Sequence, residues 1–204
     1  MVFSRALARQ LARPTGSAGR WLGKAMDIAN RKPLRLAVDL IAPAPGEAIL
    51  DAGCGTGAAM AEMLRRADCS MTGADISATM LEEARRKLGT RAACVLAPLE
   101  ALPFADATFD AVLALNVLYF CRPDQGMLRS IHRVLKPGGR LCAYVSDRRS
   151  MEGWPLVREG YHRLYDRSEL VAALVSAGFA LDAVAVHDVR VTRKVGGLLA
   201  LARR

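Results

Sequence analysis

The chain has 204 residues, of which 52% are hydrophobic and 24% charged, and a formal net charge of +9. That composition furnishes a core for one domain, and no apolar run approaches the ~20 residues of a membrane-spanning helix. Five scattered cysteines (Cys54, Cys69, Cys94, Cys121, Cys142) form no CxxC pair; with no uninterrupted apolar stretch behind the basic start, this argues against a disulfide framework, a structural zinc site and a secretory leader, and a cytoplasmic protein is expected.

The basic excess sits at the two ends. Residues 1–46 carry eight basic against two acidic side chains, residues 188–204 five against one, and the middle is nearly neutral. Phe3, Leu7 and Leu11 recur at i, i+4 opposite Arg5, Arg9 and Arg13, the pattern of a short basic amphipathic helix ended by Pro14. Thr15 to Gly19 reads as a loop, Arg20 to Asn30 as a helix, and a further helix follows Pro33 with Leu34, Ala37, Val38 and Ile41 on one face. Residues 1–45 are therefore expected to form a helical arm, ended by Pro43-Ala44-Pro45-Gly46. Its basic face is either solvated on a docked helix or in peripheral contact with an anionic membrane or substrate.

From residue 46 apolar strands alternate with helices: strands at Ala48–Ala52, Ser70–Asp75, Ala92–Ala97, Phe109–Leu115 and Gly139–Val145, helices at 57–66, 78–88 and 124–135. Near-continuous apolar strands separated by helices predict a doubly wound α/β domain, its mostly parallel sheet covered on both faces. Lys136-Pro137-Gly138-Gly139 is expected to end a helix and turn the chain into the fifth strand. Beyond it, Asp166 and Glu169 have capping-box spacing before a helix that ends at Gly178. Phe179–His187 and Gly197–Arg203 then read as a closing antiparallel pair, giving seven strands.

The chemistry centres on Ile49-Leu50-Asp51-Ala52-Gly53-Cys54-Gly55-Thr56-Gly57, read as strand, glycine turn and helix start. Glycines there permit positive φ and close approach of a ligand, and the helix N-terminus offers unpaired N–H groups. Gly53, Gly55 and Ala58 loosely satisfy G-x-G-x-x-A, and Asp75 stands at the end of strand two, where a ribose-binding acid belongs, so a nicotinamide dinucleotide and an oxidoreductase remain open. Against them, Asp51 places a carboxylate inside the turn, where it would repel a pyrophosphate but welcome an amino group. The chain also lacks the length of a double βαβαβ unit followed by a catalytic domain.

With ILDAGCGTG at 49–57, GADIS at 73–77, EALPFADATFDAVLALNVLYF at 100–120 and LRSIHRVLKPGGRL at 128–141, the sequence resembles the class I S-adenosylmethionine-dependent methyltransferases, in particular the small bacterial type that includes ubiquinone and sterol methylases. The resemblance implies a Rossmann-like fold over residues 46–204, with S-adenosylmethionine as cofactor. Asp51 would lie near its methionine amino group, and the backbone from Gly53 through Cys54 and Gly55 to Gly57 would approach it. Asp75 would accept its ribose hydroxyls and Ile76 would pack on its adenine. Pro98 and Leu99 would face the adenine edge, and Asn116 the methyl-transfer face, with Val117 and Tyr119 nearby. Relatives often carry an acid at the position of Pro98, which proline cannot replace; the adenine would then rest on the Leu99 N–H and on apolar packing. The stretch holding Met26 and Asn30 resembles an arm seen in some of these enzymes.

Methyl transfer from a sulfonium asks the protein for alignment and exclusion of water. A general base is needed only for an acceptor that is protonated at rest. No metal cluster is proposed. The acceptor is expected to be a small, hydrophobic or lipid-like molecule entering beneath residues 147–165, where Trp154, Tyr161, Tyr165 and, nearer the sheet, Tyr119 would form its wall; Tyr161 and His162 are the candidates for a base. Trp154, Tyr161, His162 and Tyr165 equally suit anchors of that segment to the body. Nucleic acid is disfavoured, because Asn116-Val117-Leu118-Tyr119 stands where base methylases have an Asn/Asp-Pro-Pro-aromatic stretch. A non-catalytic binding protein of the same fold, favoured only by Pro98, is the remaining alternative.

Overall fold

A computed structural model describes residues 10, 14–154, 157 and 162–204. The basic helix expected over Phe3–Arg13 lies outside the described residues except at Gln10, and Tyr161 lies outside them altogether.

Two helices precede the sheet, α1 (Gly16–Ala29) and α2 (Arg31–Ile41). Thr15 to Gly19 is not a loop. Thr15 has extended backbone angles at the N-cap, and its carbonyl accepts from the Gly19 N–H at 2.9 Å, so small polar residues that read as a turn begin the helix instead. Pro33 is accommodated in the first turn of α2, where its missing N–H would have no helical partner.

The body then runs β1 (Ala48–Ala52), α3 (Ala58–Arg66), β2 (Ser70–Asp75), α4 (Ala78–Leu88), β3 (Ala92–Leu96), β4 (Phe109–Leu115), α5 (Gly126–Val134), β5 (Leu135–Ser146), α6 (Arg148–Met151), α7 (Arg167–Ser176), β6 (Val184–Arg190) and β7 (Gly196–Arg203). The seven strands form one sheet in the order β3-β2-β1-β4-β5-β7-β6, parallel throughout except for β7, which runs antiparallel to both its neighbours. This is the mostly parallel α/β arrangement that the alternating elements predicted, and the Rossmann-like fold that the resemblance implied.

Alternation along each strand divides the core in two. Ile49, Met71, Leu113 and Cys142 point to the face covered by α2, α3 and α4, where Ile41, Met60 and Leu81 are fully buried. Leu50, Val112, Leu141 and Ala143 point to the other face, where α5 and α7 bring Leu128, Ile131 and Leu174. Each buried Val, Leu, Ile or Met side chain here contributes about 1.5–3 kcal/mol by leaving water.

The Lys136–Gly139 turn lies inside a strand. Phe109 pairs with Leu135 and Ala111 with Arg140, so residues 136–139 bulge out of the β4–β5 ladder, Gly138 taking φ +78°. The Asp166–Glu169 capping box forms with both its hydrogen bonds. Strand β6 begins later than its apolar run, because Leu181–Ala183 winds into a single 3-10 turn and Phe179 is buried edge-on against His132, ring centroids 4.8 Å apart.

Arg140 ties the arm to the sheet. Its guanidinium donates to the carbonyls of Ile41 and Ala42 and to both carboxylate oxygens of Glu47, at 2.6–2.9 Å. That contact caps the C-terminus of α2 and holds the Glu47 carboxyl below the usual carboxylate range.

Candidate functional site

The strand order reverses between β1, whose chain continues to β2, and β4 on its other side. In open parallel sheets a crevice forms at such a point, beyond the carboxyl ends of the strands. Here it is a cleft of about 260 Å³, walled by the glycine turn after β1, the end of β2, residues 98–100, residues 115–120, and the inner faces of α1 and α2.

Glycine is required in the turn for two separate reasons. At Gly53, φ +80°, an added Cβ would fall 2.1 Å from the Val117 Cγ1, so the turn and the segment after β4 close on each other only without a side chain. At Gly55, φ +51°, a Cβ would meet nothing within 4 Å. Because Gly55 lines the cleft, that open space is room for a ligand.

The two acids sit at the floor. Asp51 is 1% exposed, and its Oδ2 is buried with no hydrogen-bond partner among the described residues. Burial, and then the negative charge of Asp75, push its carboxyl up to about 7. An orphaned carboxylate oxygen facing a cleft is costly unless a donor or cation completes it. Asp75 Oδ2 accepts from the Gly55 N–H at 2.9 Å and Oδ1 from the Ser77 N–H at 2.8 Å, which fixes the carboxylate and leaves lone pairs for hydroxyl donors. Its carboxyl is also raised by burial, against the pull of those N–H groups.

Around the acids the wall is apolar. Ile76, a large aliphatic side chain, is 41% exposed in the cleft wall, and Leu99 lines the same cleft as a buried residue. Pro98 and Glu100 complete that end. Cys54 lines the cleft as a buried thiol, pushed well above its ordinary pKa by burial and by the nearby Asp51 and Asp75. Asn116 holds a left-handed conformation, φ +58°, its Oδ1 accepting from the Tyr119 hydroxyl at 3.1 Å.

The cleft thus brings together Asp51, Gly53, Cys54, Gly55, Asp75, Ile76, Pro98, Leu99 and Asn116. Gly57 is not among its walls; a Cβ there would meet Leu88 and Ala84 at 3.0–3.1 Å, so its glycine serves the packing of α3 on α4. Of the expected acceptor wall, the described residues Tyr119, Trp154 and Tyr165 do not line the cleft. Tyr119 is buried beneath Asn116, also accepting from the Ser146 N–H. Tyr165 is fully buried, its hydroxyl donating to the Leu118 carbonyl at 3.0 Å, and so anchors its segment. Trp154 is 43% exposed and does not line the cleft. His162 also stands outside it, its ring 5.2 Å from that of Phe120, which does line it; burial lowers the His162 pKa and keeps the ring neutral.

Pro14, Gly23, Asp27, Leu34, Ala59, Met80, Glu100, Leu115, Phe120 and Met127 are cleft residues that reading the sequence did not assign. Thr56 donates to the Asp27 carboxylate at 2.7 Å and accepts from Lys87 at 3.1 Å, docking α1 on the glycine turn. Gly23 permits that contact, since a Cβ there would lie 2.9 Å from Thr56 Cγ2. One signal was present: Met26, Asn30 and Leu34 recur every fourth residue and mark the inward stripe across both helices.

A family model described as a methyltransferase domain matches residues 50–143, the span from β1 into β5 that builds the cleft. Those residues form a methyltransferase domain. A malonyl–acyl-carrier-protein O-methyltransferase from Enterobacter lignolyticus is 34% identical over 68% of this chain and 57% of its own length. A demethylmenaquinone methyltransferase from Clavibacter sepedonicus is 38% identical over 67% of this chain and 55% of its own. The fold matches that of a 1,6-didemethyltoxoflavin-N1-methyltransferase from Burkholderia thailandensis, solved with S-adenosylhomocysteine, at TM-score 0.68 and 23% identity over 86% of this chain and 78% of that one. The chain spans about half the length of the curated relatives it matches. The family's donor is S-adenosylmethionine, and the cleft fits it: an orphaned acid for an ammonium, a second acid for hydroxyls, an apolar rim for a base.

Proposed function

We propose that the domain binds S-adenosylmethionine in this cleft and moves its methyl group to a small apolar acceptor. One observation carries the reading above the others: at the carboxyl end of β1, Asp51 buries a carboxylate oxygen that has no partner among the described residues. A pyrophosphate would make that cost worse, whereas a cationic amino-acid end relieves it.

When bound, the cofactor supplies a methyl group already activated on a positively charged sulfur. The residues of the chain have to hold and align. Asp51 would take the amino group, Asp75 the ribose hydroxyls, and Ile76 with Leu99 the adenine, with Pro98 at its edge. Asn116, fixed by Tyr119, would border the face where donor and acceptor meet. Met26, Leu34, Val117, Phe120 and Met127 would keep water out, which favours an in-line displacement between prealigned groups. The acceptor class follows from that apolar wall, and demethylmenaquinone in the name of one relative is consistent with it.

Calorimetry with S-adenosylmethionine, S-adenosylhomocysteine and a nicotinamide dinucleotide tests the binding. The first two should bind and the third should not. Dinucleotide binding alone would overturn the reading, and binding of none would leave a scaffold. Transfer of labelled methyl from the donor into an organic extract of cells, rather than into nucleic acid, tests the acceptor class.

A further inference from the structure

Helix α1 has two unlike faces. Gly23, Met26 and Asp27 turn inward to the cleft. On the opposite face Trp21 and Ile28, seven residues apart and so on one stripe, are 75% and 63% exposed. An indole and an aliphatic side chain left together in water on an otherwise docked helix form an unpartnered apolar strip.

The strip is set on helices whose cations no described residue neutralises. Arg20, Lys24, Arg31, Lys32 and Arg35 pair with no carboxylate among the described residues. The two acids of α1 and α2 are engaged elsewhere, Asp27 with Thr56 and Lys87 and Asp39 with Arg66. The Lys24 ammonium lies 5.7 Å from the centre of the Trp21 ring. Between Arg20, Trp21, Lys24 and Arg86 there is a surface hollow of about 230 Å³, whose single acid, Glu83, is already paired with Arg86.

We propose that this outer face of α1 docks on an anionic lipid bilayer. An indole at the level of the headgroups, an aliphatic side chain beyond it and a surround of Lys and Arg is the composition of a helix lying in a membrane interface. The hollow then receives one anionic headgroup. A nucleic-acid backbone would use the cations but leave Ile28 in water, so the apolar strip decides for lipid. Docking would set the cleft one helix diameter, about 10 Å, from the bilayer surface. The inference holds whichever group the cleft transfers, since it rests on the opposite face of the helix.

The full chain sedimented with phosphatidylcholine vesicles, with and without phosphatidylglycerol, tests it. Retention is expected only on the anionic vesicles, and salt should release it. Trp154→Phe leaves Trp21 as the sole tryptophan of the two in the chain, and its emission should shift to the blue on binding. Arg20→Gln with Lys24→Gln should weaken retention about 25-fold, roughly fivefold for each cation removed. Trp21→Ser with Ile28→Ser should weaken it as well, with the melting temperature unchanged in both pairs. Absence of retention would overturn the proposal. So would retention with unchanged Trp21 emission or undiminished by these substitutions, or a Trp21-dependent capture of duplex RNA at the same salt.

Discussion

Replacing Asp51 by Asn should stabilise the ligand-free protein while crippling its binding site. The carboxyl is raised from 3.8 to about 7 in the folded state. Above pH 7 the folded chain must therefore bury a charge that the unfolded chain exposes to water. The sign follows from proton counts: between pH 4 and 7 the folded state holds a proton that the unfolded state has lost, so stability falls as pH rises across that window. At 1.36 kcal/mol for each pH unit, the difference amounts to about 4 kcal/mol by pH 8. Asn carries no charge, but its amide brings a buried donor that costs about 1–3 kcal/mol if unpaired. The net expectation is a gain of about 1–3 kcal/mol at pH 8 and a flatter pH profile. Urea unfolding of both proteins at pH 5 and pH 8 measures this. Calorimetry at pH 8 should show S-adenosylmethionine binding 10- to 150-fold more weakly, the worth of a charged hydrogen bond. Parallel pH profiles for the two proteins would refute the assignment of a strained acid at Asp51, and an unchanged affinity would refute its role toward the donor.

The two turn glycines should separate. Gly55→Ala, with a Cβ in open space but a positive φ, should lose about 1–2 kcal/mol of stability, still fold, and lose cofactor affinity, whereas Gly53→Ala should destabilise the fold further through its clash with Val117 and be partly rescued by Val117→Ala, read by thermal melts and calorimetry. Asp27→Ala removes the hydrogen bond that seats α1 on Thr56; it should raise proteolytic cleavage within residues 16–29 and weaken cofactor binding while the sheet core keeps its unfolding midpoint. Pro98→Asp introduces an acid at the expected adenine edge and should tighten binding of S-adenosylhomocysteine about 2- to 13-fold, the range of one net hydrogen bond, as measured by titration calorimetry.

The centre of the sheet was readable because β1 and β4 are buried on both faces and so appear as short apolar runs between turn residues. Its acids were readable because a carboxylate in a glycine turn has few structural uses. What could not be read was where distant segments meet. Asp27 and Thr56 join across 29 positions, and neither carries a local mark of that contact. Lys136 to Gly139 has the composition of a turn whether it precedes a strand or bulges from one; only the pairing of Arg140 with Ala111 decides. Tyr119 and Tyr165 illustrate a general ambiguity. A tyrosine suits a pocket wall and a core equally, and the choice falls to the carbonyl or amide its hydroxyl reaches.

Strand β7 follows the other six in sequence yet lies inside the sheet, between β5 and β6. The order of synthesis and the order of space therefore disagree. Until residues 196–203 have emerged, β5 presents a bare hydrogen-bonding edge from Arg140 to Ser146, and β6 has no strand to join. A nascent chain at that stage holds nearly all of its cofactor cleft beside an open sheet edge, the kind most prone to pairing with a second chain. A slow stretch of translation just before β7 would prolong that exposure, and a donor molecule bound early would not shorten it.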